Sequence, residues 1–66
     1  MSYSKSLKAA LEREGRTNKW LAKQVDAHPA MISKYRIGYR IPRPARQERI
    51  AGALNLSMSE FYALGE

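Results

Sequence analysis

Apolar residues recur along the chain at three- and four-residue intervals, broken by small, polar or proline-containing stretches, and this period predicts helices throughout. Tyr3, Leu7 and Leu11 stand four apart with Ala10 beside them, an apolar stripe on a helix of about three turns that Ser4 or Ser2 starts and Gly15 ends. Thr17 offers the N-cap of a second helix, whose Leu21 and Val25 face inward one turn apart. Ala22 falls at a helix crossing, where a larger side chain would hold the two helices apart. Asp26 and Ala27 break this helix, and Asp tolerates the left-handed conformation in which a glycine would otherwise be expected. Pro29 suits the first position of a third helix, because its missing N–H costs nothing there, with His28 as the capping neighbour. Ile32, with Met31 and Tyr35, anchors the third helix, and Gly38 ends it.

The segment YRIPRP, residues 39–44, follows. Its two prolines restrict themselves and the residues before them to extended geometry, which makes it a stiff connector. Pro44 then opens a fourth helix, in which Gln47, Ile50, Ala51 and Leu54 keep the helical period. Gly52 inside it predicts the close passage of another helix, and Asn55 is the expected left-handed terminator. The fifth helix has the clearest start: SMSE at 57–60 is a capping box, with Leu56 and Phe61 as its hydrophobic staple and Gly65 as its stop. No strand-like alternation or hairpin turn appears, so the prediction is an all-α fold of five helices in a single domain spanning residues 1–66.

Composition narrows what such a bundle can do. A chain of 66 residues lies near the lower limit for a core held by packing alone. It has no cysteine and one histidine, His28, which leaves no disulfide or thiolate site and predicts neither metal nor cofactor. One histidine and six scattered acids supply no nucleophile, base and orienter, and there is no glycine-rich phosphate loop, so an enzyme is not expected. The longest apolar run, Phe61 to Leu64, is far short of a membrane span or export signal, which makes the cytoplasm the expected compartment.

The net charge is +6, and it is concentrated. Between Arg16 and Arg49 nine basic residues face only Asp26 and Glu48, a net +7, while the rest of the chain carries −1. That asymmetry points to a polyanionic partner, nucleic acid before anionic lipid, because helix signals interrupt the basic stretch and no single amphipathic face results.

Residues 17–38 have the layout of a helix, a short turn and a second helix ending at glycine. With Thr17, Leu21, Ala22, Val25, Ile32, Ser33, Gly38, Pro42, the Ile50-Ala51 and Ala53-Leu54 pairs, Ser57, Glu60 and Phe61 in register, the chain resembles the lambda-repressor-like family, the Cro and repressor group of helix-turn-helix domains. The resemblance implies a sequence-specific binder of double-stranded DNA. It further implies a transcription regulator of phage or mobile-element type that acts as a homodimer on a palindromic operator, with no small-molecule ligand and with residues 29–37 in the major groove. A protein-interaction module, antitoxin-like or an adaptor, that has kept the fold is the alternative.

On this mapping His28, Pro29, Ala30, Ser33 and Lys34 reach base edges, with Ile37 at the far margin. Thr17, Asn18, Lys19, Tyr39, Arg40 and Arg43 grip phosphates. Pro29 and Ala30 stand where relatives often carry glutamine or arginine, so hydrogen-bonded readout shifts to Lys34, His28 and Ser33, supplemented by apolar contact with thymine methyls and by DNA shape. Arg36 and Trp20 stand where relatives commonly have acidic side chains. Trp20 either covers the end of the first helix or is an exposed anchor for a partner. Arg46 and Arg49 read as ordinary surface charges. The apolar excess of the fifth helix places a dimer interface at Met58, Phe61 and Tyr62.

Overall fold

The computed structural model describes residues 2–66 and contains α1 (Tyr3–Glu14), α2 (Asn18–Gln24), α3 (Pro29–Ile37), α4 (Pro44–Ala53) and α5 (Met58–Ala63). All its regular structure is helical, as the periodicity predicts. α3 packs against both α1 and α2, α5 closes over α1 and α4, and α4 also meets α2. The predicted inward positions converge: Leu7, Leu11, Leu21, Ile32, Ile50, Leu54 and Phe61 are fully or almost fully buried in one cluster, and Ala22 and Ala51 fill its narrow places. None of the helices is long and apolar enough to cross a membrane.

Four of the helix ends share one geometry. Gly15, Asp26, Gly38 and Asn55 have φ of 64°, 54°, 83° and 59°, and in each case the next residue donates its N–H to the carbonyl five positions back. Arg16 reaches Leu11, Ala27 reaches Ala22, Tyr39 reaches Lys34 and Leu56 reaches Ala51, at 2.9–3.0 Å. This is the left-handed termination that satisfies the last free carbonyls of a helix. Two ends use glycine and two use Asp or Asn, the residues that bear positive φ at least cost.

The starts are equally explicit. Thr17 Oγ1 accepts the N–H of Trp20 at 3.0 Å, and Pro29 and Pro44 occupy the first turns of their helices. The capping box of α5 is complete: Glu60 N–H donates to Ser57 Oγ at 3.1 Å, and Ser57 N–H donates to Glu60 Oε1 at 2.9 Å. That backbone donor, helped by the Ser57 hydroxyl, holds the Glu60 carboxyl below its ordinary range. Of the two serines at the start of α1, Ser2 is the N-cap; its hydroxyl bonds to Ser4 Oγ at 2.9 Å and makes no cap bond to the backbone.

Two glycines depart from expectation. Gly52 is exposed, and nothing lies within 4 Å of where its Cβ would stand, so no helix passes close there and nothing in the structure explains the glycine. Gly65 does not stop α5 by a left-handed turn. It is buried against the start of α1, where a Cβ would collide with Ser6 Oγ and come within 2.9 Å of Ser6 N and 3.0 Å of Ser2 O. Two of those three atoms are backbone and cannot swing aside. Gly65→Ala should therefore destabilise the fold by about 1–3 kcal/mol, the usual cost of overpacking, read as a lowered midpoint in urea at unchanged slope; an unchanged midpoint would show that the two termini separate freely.

Trp20 takes the covering role. It is half-buried against the core, and the Arg16 guanidinium, just beyond the end of α1, lies 4.5 Å from the centre of its ring. The stacked cation stabilises an aromatic surface that would otherwise face water.

Candidate nucleic-acid interface

Helical geometry divides α3 into two faces. Ile32 and Tyr35 point into the core at 0% and 5% exposure. At 100° per residue, Pro29, Ser33 and Ile37 form one row along the opposite side, with Ala30 and Lys34 in the adjacent row. All five are exposed, and His28 is exposed at the head of the helix. Nine residues give a rod roughly 13 Å long, with side chains narrow enough on the outward face to enter a groove ~12 Å wide.

The head of this rod is held by His28, whose Nδ1 accepts the N–H of Ala30 at 3.1 Å. An accepting Nδ1 is unprotonated, so in the neutral ring the proton sits on Nε2 and that atom is the remaining donor. His28 is thus both the N-cap and a polar group at the leading edge of the outward face. Lys34 extends from the second row with Nζ 5.9 Å from the centre of the Tyr39 ring. Pro29, Ala30 and Ile37 make the rest of the face apolar, and Ile37 is 74% exposed. Ile37, the last residue of α3, ends the row of Pro29 and Ser33.

The residues expected to grip phosphates come from the start of α2 and from the connector that follows α3. Thr17 spends its hydroxyl oxygen as the acceptor that caps α2 but keeps its O–H as a donor. Asn18 Oδ1 accepts from Arg36 Nη1 at 3.0 Å, which turns its Nδ2 donors away from that bond and ties the start of α2 to the last turn of α3. Lys19 is exposed and shares a shallow hollow with Lys23, Asp26 and Pro29, beside the start of α3. Tyr39, Arg40 and Arg43 are all exposed along the connector, Tyr39 at 72%.

That connector is braced from behind. Gln47 Nε2 donates to the carbonyl of Pro42 at 2.8 Å, while Gln47 Oε1 accepts from the hydroxyl of Tyr62. Arg46 Nη1 donates to Tyr35 Oη at 3.3 Å. These three residues, and Arg36, escaped the sequence reading as positioning groups. Apart from Pro42, five positions from Gln47, their partners lie 11 to 18 positions away, beyond the reach of any local period.

The residues expected at a dimer surface fare differently from one another. Met58 and Tyr62 are half-exposed, but Phe61 is fully buried, with its ring 5.1 Å from Tyr3 and 5.9 Å from Tyr62. It therefore has no surface to offer a second copy and acts as the keystone of its own core.

The outward face of α3 can present one ammonium, one imidazole N–H, a hydroxyl and an apolar row to the edges of base pairs, with further cationic and hydroxyl groups exposed at the start of α2 and along the connector. In comparison with known protein families, the family model described as helix-turn-helix matches residues 7–61, which include all five helices but the first turn of α1 and the end of α5. Neither the curated proteins nor the solved structures provide a match.

Proposed function

This chain belongs to the lambda-repressor-like helix-turn-helix family of DNA-binding domains, and from that premise we propose that it is a sequence-specific regulator of transcription that places α3 in the major groove. The observation that carries this reading is the division of α3 into a buried Ile32/Tyr35 face and an outward face of His28, Pro29, Ala30, Ser33 and Lys34. Lys34 donates to guanine O6 or N7, His28 Nε2 and the Ser33 hydroxyl bond to bases or nearby phosphates, and the apolar row packs against thymine methyls. Thr17, Asn18 and Lys19 on one side, and Tyr39, Arg40 and Arg43 on the other, hold the backbone. With so few polar base contacts, much of the discrimination comes from DNA shape.

The functional unit in this reading is a homodimer on a palindromic operator, with Met58 and Tyr62 at or beside the contact between copies. Half-site centres one turn of DNA apart, ~34 Å, match the symmetry of such a pair. The setting this reading proposes is a cytoplasmic, nucleoid-bound regulator of a phage or mobile element, in keeping with the basic middle of the chain.

Titration of duplex DNA at increasing salt tests the electrostatic half of this proposal. Six or so phosphate contacts per bound unit predict a fall in affinity with a log-log slope of about −5. A slope near zero would remove the backbone grip, and with it the assignment of the flanking residues.

A further inference from the structure

A groove runs between the end of α3, the connector and the first turns of α4, and neither the bundle nor the outward face of α3 uses it. Its floor is apolar: Met31, Ile41, Pro42 and Ala45 line it. Ile41 is 71% exposed on a segment stiffened by the prolines beside it. Its rim is cationic, with Arg40 and Arg43 from the connector and Arg46 and Arg49 from α4. None of the lining residues is acidic. Arg46 is already held in place by its bond to Tyr35, and the connector by Gln47, so the groove is formed before anything enters it.

Three kinds of occupant can be weighed by chemistry. A second copy of the chain would bring another net charge of +6 against four guanidinium groups. The DNA backbone would satisfy the arginines, but its only apolar surface is the C–H edges of the sugars, with no side chain to reach in and cover Ile41 and Ala45. An acidic peptide segment with one large apolar side chain meets both demands, since carboxylates pair with the guanidinium forks while the apolar group leaves water for the floor.

We propose that this groove docks an acidic segment of a partner protein, seated by one aliphatic or aromatic side chain against Ile41 and Ala45 and clamped by carboxylates on Arg46, Arg49 and their neighbours on the connector. The segment also covers Arg40 and Arg43. The docking itself does not depend on the duplex-binding reading, and peptide binding is measured with no DNA present.

The probe is a fluorescein-labelled 12-residue peptide of Asp and Glu with a single central Trp, compared with the same peptide carrying Ser at the centre, by anisotropy at 0.15 M salt. The Trp peptide should bind at least about tenfold more tightly, as expected for burial of one large apolar side chain. Ile41→Ser and Arg49→Gln should each weaken the Trp peptide by about tenfold, with unchanged circular dichroism. Duplex affinity, measured separately, should be unaffected by Ile41→Ser. Equal binding of the two peptides, or indifference to Ile41→Ser, would mean diffuse attraction to a basic surface and would overturn the proposal. So would a parallel loss of duplex affinity in Ile41→Ser, because it would assign the groove to the DNA footprint.

Discussion

Phe61→Ala is expected to leave much of the protein unfolded at room temperature. Phe61 has no exposed surface and packs edge-on or tilted against Tyr3 and Tyr62, on a helix of only six residues that joins α1 to α4. Truncating a buried phenylalanine costs about 3–5 kcal/mol, in part for the cavity left behind. A domain of 66 residues has about 3–10 kcal/mol of stability in all. The molecule has no disulfide to limit the unfolded chain. The thermal midpoint should fall by about 12 °C or more, monitored by circular dichroism. Because the ring is internal, any loss of DNA binding in this variant should be shared by every duplex and should be recovered by cooling. A midpoint unchanged from the parent, with self-association lost, would instead place Phe61 at a contact between copies and contradict its burial.

Lys34→Ala should have the largest effect on recognition without a comparable effect on folding. Lys34 is exposed, and its ammonium approaches only the Tyr39 ring, at the outer limit of an effective cation–π contact. Losing it costs the free protein little. On a preferred duplex it should cost about 1–3 kcal/mol, roughly five- to 150-fold in affinity, and relax the preference at one base position in each half-site. The side chain is the longest donor on an otherwise short outward face, so no neighbour can replace it: His28 Nδ1 is occupied by the cap of α3, and Ser33 offers only a short hydroxyl. A uniform loss on all duplexes, with the salt slope reduced by about one, would make Lys34 a phosphate contact and shift base readout to His28 and Ser33.

The two variants also show which parts of the molecule were legible from residue order. Helices and their ends could be read because they are written locally. The capping box at Ser57, proline at the first turns of α3 and α4, and left-handed endings at Gly15, Asp26, Gly38 and Asn55 each depend on residues within about five positions. The inward faces followed from periodicity, down to Tyr35, which is buried as expected.

What could not be read concerns encounters between elements. The sequence pointed to a close approach at Gly52 and a helix stop at Gly65, yet it is Gly65 that lies against the backbone at the start of α1, while Gly52 touches nothing. Phe61 and Tyr62 are adjacent aromatic residues on a short helix, and only the packing of α5 over α1 decides which of them is sealed inside. The bonds from Arg36 to Asn18 and from Tyr62 to Gln47 join residues 18 and 15 positions apart. No spacing rule announces them. For the candidate interface the same division holds: the exposure of His28, Pro29, Ala30, Ser33 and Lys34 was anticipated, whereas the bracing of the connector, and the groove it creates, emerged from the fold.

The claim on which the rest depends is that the outward face of α3 discriminates among base sequences, and selection of bound fragments from a pool of random duplex DNA at physiological salt measures this directly. The account predicts enrichment of one pattern with two-fold symmetry, its half-site centres about 10 base pairs apart. Recovered fragments no different in sequence from the starting pool would contradict it, whatever the strength of binding.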